Sequence, residues 1–183
     1  MQEIKNVYNL KIKTLKKELS SESDIETQKG SFVVYDDNSI MGYIRTDSKI
    51  SHILTGIYIE NVGLLVRAFD KNSNGLKPIE YNIIYNDDYY CFFGKYLLTH
   101  GIKYDMGGTA MFYLDDLEYD PDAEKKVTDT IQKEIESLNP YVSYEVNESL
   151  LKIKDDENYL LSLRNLLRDS NIPSAFFNSY DFD

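Results

Sequence analysis

Apolar residues in the first half of the chain come in short runs separated by turn formers. Ile79, Tyr81, Ile83 and Tyr85 alternate with Glu80, Asn82, Ile84 and Asn86, the period of two expected of a strand. Ser31–Tyr35 and Ile40–Arg45 flank Asp36-Asp37-Asn38-Ser39, while Ile53–Ile59 and Leu64–Asp70 flank Glu60–Gly63. Asn, Asp, Ser and Gly favour turns, so these pairs predict hairpins. Lys71–Gly75 reads as a loop, and connections this short predict an antiparallel sheet. A further strand is expected over Thr109–Leu114, after the turn at Gly107-Gly108.

Other segments step by three and four. Ile4, Tyr8, Ile12, Leu15 and Leu19 predict an N-terminal helix within residues 1–19. The polar stretch 20–30 then reads as a linker. Asp87 or Asp88 can cap a helix reaching His100, with Tyr89, Phe92, Phe93, Tyr96 and Leu97 on its apolar face and Gly101 as its stop. Asp120-Pro121 opens a helix carrying Ala123, Val127, Ile131, Ile135 and Leu138, which Asn139-Pro140 should end. Tyr141–Val146 and Ser149–Lys154 read as a hairpin around Asn147-Glu148. Asp155, Asp156 and Glu157 suit the start of a last helix bearing Tyr159, Leu160, Leu163, Leu166 and Leu167. The aromatic and acidic tail, residues 174–183, should dock through Phe176, Phe177, Tyr180 and Phe182. The expected architecture is a single α+β domain: a mainly antiparallel sheet, a meander of about five strands plus later ones, with about four helices packed on it.

Composition narrows the function more than the fold. At 183 residues and 42% hydrophobic content, the chain can bury a core, and no apolar run is long enough to cross a bilayer. The N-terminal segment has lysines and no apolar stretch of the secretory kind, and one cysteine offers no internal disulfide. Both features fit a cytoplasmic protein. Sixteen tyrosines and no tryptophan match the usage of AT-rich coding, such as that of a bacterium, phage or plasmid. The net charge is −11, with residues 1–19 at +3 and the remainder at −14. Such a field repels nucleic acid and anionic membranes, so direct partners should be basic proteins or cations.

The densest charge lies in Met111–Glu124, which holds six carboxylates and no Lys or Arg. Asp120, Asp122 and Glu124 suit a helix start, where acids are favourable by about 0.3–1 kcal/mol each. Asp115, Asp116 and Glu118 lack that explanation. In an extended segment, Glu118, Asp120 and Asp122 would lie about 6.6 Å apart on one face, near the spacing of backbone phosphates. Tyr113 and Tyr119 could add ring contacts to arginine. These eight residues form the candidate partner-binding site. The corresponding function is that of a non-enzymatic nucleic-acid mimic occluding a basic nuclease or nucleic-acid-binding protein, as a phage or plasmid anti-CRISPR protein, another nuclease inhibitor or an immunity protein does.

Other chemistry is less well marked. Cys91 and His100 fall on nearly opposite faces of their predicted helix and cannot pair there, and Cys91 beside Phe92 reads as a core residue. No catalytic residue, cofactor or metal ligand set is assigned. Glu118, Asp120 and Asp122 alternate as in a calcium loop, but Ala123 replaces the turn glycine and Asp129 the final Glu. Gly107-Gly108 lacks the lysine and spacing of a phosphate loop. The alternatives are thus a carboxylate-based metal-dependent enzyme or divalent-ion domain, and an accessory domain acidic only for solubility.

Overall fold

A computed structural model describes residues 3–16, 25–72, 78–86, 91–100, 103–115, 121–152, 158, 160 and 161. Eight strands, β1 (Ile4–Lys16), β2 (Ile25–Tyr35), β3 (Ser39–Thr46), β4 (Lys49–Ile59), β5 (Gly63–Asp70), β6 (Ile79–Asn86), β7 (Cys91–His100) and β8 (Lys103–Asp115), precede two helices, α1 (Pro121–Glu136) and α2 (Pro140–Leu151). Each strand pairs antiparallel with the next, and β1 also pairs with β8, from Asn9 opposite Asp115 to Lys16 opposite Gly108. The sheet is a closed up-and-down barrel. This overturns the expected α+β fold, a mainly antiparallel sheet with about four helices packed on it.

The two misread helices are the strands that close the barrel. Tyr8 and Ile12 are four apart, a step shared by a helical face and by one face of a strand. In β1 they point inward with Leu10, while Val7 packs outside. A register shift between Ile4 and Asn6 turns Ile4 to the outer face as well. β7 has the same ambiguity, since Phe92 faces inward, Phe93 faces outward, and both are buried. A strand covered on both sides shows no alternation. Residues 25–30 of the expected linker belong to β2.

Three hairpin turns follow their sequence. Asn38, Asp47 and Asn61 adopt φ of 69°, 57° and 61°, a left-handed conformation that Asn and Asp tolerate better than most residues. Gly56 and Gly94 occupy positions where strands approach closely. A Cβ there would stand 2.0 Å from the Leu65 carbonyl oxygen and 2.2 Å from that of Asn82.

The first helix forms where Asp120-Pro121 announced it. The expected hairpin after it is instead α2. Asn139-Pro140 starts this helix rather than only stopping the previous one, with Asn139 Oδ1 accepting the Val142 amide at 2.9 Å. Val142, Val146 and Ser149 then recur at helical spacing on the buried face. Val127 and Ile131 of α1 join Val142 and Val146 against Val33, Met41, Tyr43, Ile53 and Phe69 on the outside of the barrel. Thr55 Oγ1 and Ser149 Oγ lie 2.7 Å apart, and Lys71 pairs with Glu134. Among the described residues of the last expected helix, Leu160 is helical and packs on Ile57 and Leu65. The tail, residues 174–183, lies outside the described residues. No helix among the described residues is long and apolar enough to cross a membrane.

Candidate functional site

The interior of the barrel is filled by its own side chains. Eight strands enclose a space that side chains can fill or that can hold one small ligand. Here Phe32, Phe92, Phe112, Ile12, Ile40, Leu54, Leu64 and Val66 are all essentially inaccessible inside it. The rings form two groups in contact, Tyr8, Phe32, Tyr58, Phe92 and Tyr85 in one and Tyr81, Tyr96 and Phe112 in the other. Tyr8 lies 5.3 Å from Phe32, Tyr58 lies 5.8 Å from Phe92, and Tyr81 lies 5.0 Å from Phe112, centroid to centroid. These separations suit favourable tilted and offset ring pairs. The barrel middle is therefore a core.

The two ends differ. At the upper end, where β1 begins, half-buried Tyr8, Tyr58 and Tyr85 roof the core. Asn6 Nδ2 donates to the Tyr8 hydroxyl at 2.9 Å. Burial, followed by a hydrogen bond with Tyr8, pushes the Tyr58 phenol well above its ordinary range. This end is an aromatic lid without a charged group turned inward among these three residues.

The lower end, where β1 finishes, is polar. Inward positions on five strands carry Glu26, His52, Asp70, Tyr81 and Tyr96. Alternation along each strand puts Glu26 on the side of Phe32, His52 on that of Leu54, and Asp70 on that of Ala68. A register shift shapes the site. Ile44 pairs with His52 and Arg45 with Ile50, so Ser51 is the extra residue of a bulge. Its Oγ lies 2.7 Å from His52 Nδ1 and 2.9 Å from Thr46 Oγ1, to which Gln28 Nε2 donates. The imidazole is thus anchored at one nitrogen by side chains on the rim.

The charges at this end act on one another. Burial lowers the His52 pKa, opposed by the nearby Asp70 and Glu26 carboxylates. Burial raises the Tyr81 and Tyr96 phenols, and Glu26 contributes to both. Around neutral pH, His52 is therefore a neutral ring and the tyrosines are neutral hydroxyls. Asp70 Oδ1 accepts the Asn72 amide at 2.9 Å. Neither Glu26 nor Asp70 forms a salt bridge among the described residues. Lys16 stands exposed at the end of β1 on the same rim.

The acidic stretch expected to bind a partner lies elsewhere. Asp115 ends β8 opposite Asn9, at the upper end. Tyr113 faces outward and packs by Leu15, Cys91, Phe93 and Met111, not among the inward groups. Asp122 is exposed and Glu124 half-buried in the first turn of α1. Asp116, Glu118, Tyr119 and Asp120 lie outside the described residues. No group of three or more His, Cys, Asp or Glu among the described residues is placed to hold a metal ion. Cys91 and His100 sit at opposite ends of β7, about 30 Å apart along the strand, so they cannot pair for a different reason from the one expected. Burial pushes the Cys91 thiol up to about 12.

The lower-end grouping was missed because its members are far apart in sequence and each is ordinary in its surroundings. The local signal was His52, which stands just before the mostly apolar run Ile53–Ile59. Comparison with protein-family models, with curated proteins and with solved structures finds no match to the chain.

Proposed function

We propose that the protein works by binding a basic partner and covering its nucleic-acid-binding surface. The observation that carries this reading is the separation of core from charge. The barrel is filled by its own side chains, while the chain has a net charge of −11. A packed barrel is a rigid scaffold, and rigid surfaces lose little entropy on docking. Its field accelerates encounter with a positive surface and disfavours nucleic acid itself. Asp115, Asp116, Glu118 and Asp122, with Asp120, Glu124, Tyr113 and Tyr119, are the proposed contact stretch. A basic nuclease or nucleic-acid-binding protein is the proposed partner, and the cytoplasm, where a lone thiol stays reduced, the proposed location.

The test uses the full chain against a panel of purified basic nucleases, with cleavage and direct binding measured at 50 and 300 mM salt. Binding should inhibit cleavage, and raising salt should weaken it at least tenfold. Neutralising Asp115, Asp116, Glu118 and Asp122 together should weaken it without lowering the melting temperature. Absence of binding at low salt, or binding indifferent to both salt and these substitutions, would overturn the reading.

A further inference from the structure

The large apolar side chains that stand exposed among the described residues are Tyr141, Tyr144, Leu151 and Leu161, and the first three lie on α2. Tyr144 is 62% exposed and Leu151 80%. At about 100° per residue, Tyr141, Tyr144, Glu148 and Leu151 fall within an arc of about 80° on one side of the helix. Val142, Val146 and Ser149 form the buried side, which packs on the barrel. Leu161 extends the exposed group past the end of α2. Its neighbour Leu160 packs on Ile57 and Leu65, two residues along β4 and β5 from Thr55 and Arg67, which contact Ser149. Single exposed apolar residues are ordinary, whereas a group of them rimmed by polar residues marks an interaction site.

The charge around this stripe narrows the occupant. Residues 140–161 carry five acids, Glu145, Glu148, Asp155, Asp156 and Glu157, against Lys152 and Lys154, and the whole chain has a net charge of −11. A second copy of the chain would set the stripe against itself, with Glu148 near its own counterpart, and like charges oppose that pairing. The same field repels nucleic acid and anionic membranes. A protein segment fits if it offers apolar side chains to Leu151 and Leu161 and guanidinium groups to the tyrosine rings and Glu148. Arginine stacks on aromatic faces and pairs with carboxylates through one planar group, which lysine does not match. The barrel makes such a contact itself, with Arg45 Cζ 5.1 Å from the centre of the Tyr43 ring. From Tyr141 to Leu151 the stripe is about 15 Å long, or roughly three helical turns.

We propose that the exposed face of α2, through Tyr141, Tyr144, Glu148 and Leu151, docks a short arginine-bearing amphipathic segment of another protein. α2 rests on β4 and β5. These strands lie half-way round the eight-stranded barrel from β8 and β1, where Asp115 pairs with Asn9. The surface is therefore separate from the acidic stretch, and each stands or falls without the other.

Fluorescence anisotropy of the full chain with a labelled helical peptide, bearing one leucine face and one arginine face, tests this in 150 mM salt, which screens distant charges. Peptides with lysine or glutamate in place of arginine serve for comparison. The arginine peptide should bind a few-fold more tightly than the lysine peptide, and the glutamate peptide should not bind. Tyr144→Ser/Leu151→Ser should weaken the arginine peptide roughly tenfold or more, and Glu148→Gln a few-fold. Tyr144 and Leu151 are exposed, so the double change should leave the melting temperature unaltered. Neutralising Asp115, Asp116, Glu118 and Asp122 together should leave this binding within about twofold, which separates it from the acidic stretch. On the unsubstituted protein, backbone amide signals of residues 140–152 should shift as the arginine peptide is added. Absence of binding at 1 mM overturns the proposal, as does binding indifferent to the Tyr144→Ser/Leu151→Ser change or amide shifts confined to other segments. A dimer of the unsubstituted protein that the same double change makes monomeric in sedimentation would assign the face to a second copy and equally overturn it.

Discussion

Thr55 Oγ1 and Ser149 Oγ lie 2.7 Å apart in a buried hydrogen bond between β4 and α2, 94 residues apart in sequence. Arg67 Nη1 also donates to Ser149 Oγ, at 3.4 Å, while its Nε donates to Glu80 Oε1 at 3.2 Å. The serine thus joins the helix to two strands. Ser149→Ala removes the partner of a fully buried hydroxyl and should cost about 1–2 kcal/mol. Adding Thr55→Val removes the stranded hydroxyl too, so the pair should cost less than the two single changes added together. Urea denaturation of all four proteins checks this coupling.

The packed rings make a second expectation. Phe92 is inaccessible and touches Tyr58 and Tyr85. Phe92→Ala should lower stability by about 3–5 kcal/mol. By contrast, Phe92→Leu keeps more of the volume and should cost less. If both variants melted like the parent, the barrel could not be packed as described.

Gly94 tests the closeness of β6 and β7. In a helix, alanine at this position would be favourable by roughly 1 kcal/mol. In the barrel, the added Cβ would stand 2.2 Å from the Asn82 carbonyl oxygen. Gly94→Ala should therefore be destabilising, and a thermal melt decides between the two signs.

His52 predicts a dependence on pH. Its folded pKa is lowered by burial, against the Asp70 and Glu26 charges, below an unfolded value of about 6.5. The unfolded chain therefore takes up a proton that the folded chain resists. The full stability is present above pH 6.5 and declines as pH falls through the lowered folded value. Comparing parent and His52→Gln between pH 8 and 5 isolates this group: the variant should lose less stability on acidification.

Cys91 is inaccessible, with its thiol raised to about 12 by burial. It should not react with a thiol reagent at pH 8 until the protein is unfolded, because the thiolate is the reactive form. Timed labelling with and without denaturant measures this directly.

Local signals were legible wherever a residue's own backbone preference was enough. Asn38 and Asn61 turn because Asn accepts positive φ, and Pro121 opens α1 for an equally local reason. The alternation in β6 marks a strand, and short connections imply antiparallel neighbours. Where two structures share a step, the pattern was ambiguous. Tyr8 and Ile12 fit one face of a helix as well as one face of a strand, and Asn139-Pro140 can end one helix or begin the next.

Closure of the barrel belongs to the second group. It requires β1 to meet β8 across almost the whole chain, and no local preference encodes that pairing. Once closed, the barrel hides one face of every strand, and α1 and α2 hide part of the other, so residues such as Phe92 and Phe93 are buried side by side. Closure also brings Glu26, His52, Asp70, Tyr81 and Tyr96 toward one end of the barrel from five separate strands. Charge, turn chemistry and helix starts are properties of short segments and can be read from residue order. That grouping exists only because long-range hydrogen bonds bend the sheet until its first strand meets its last.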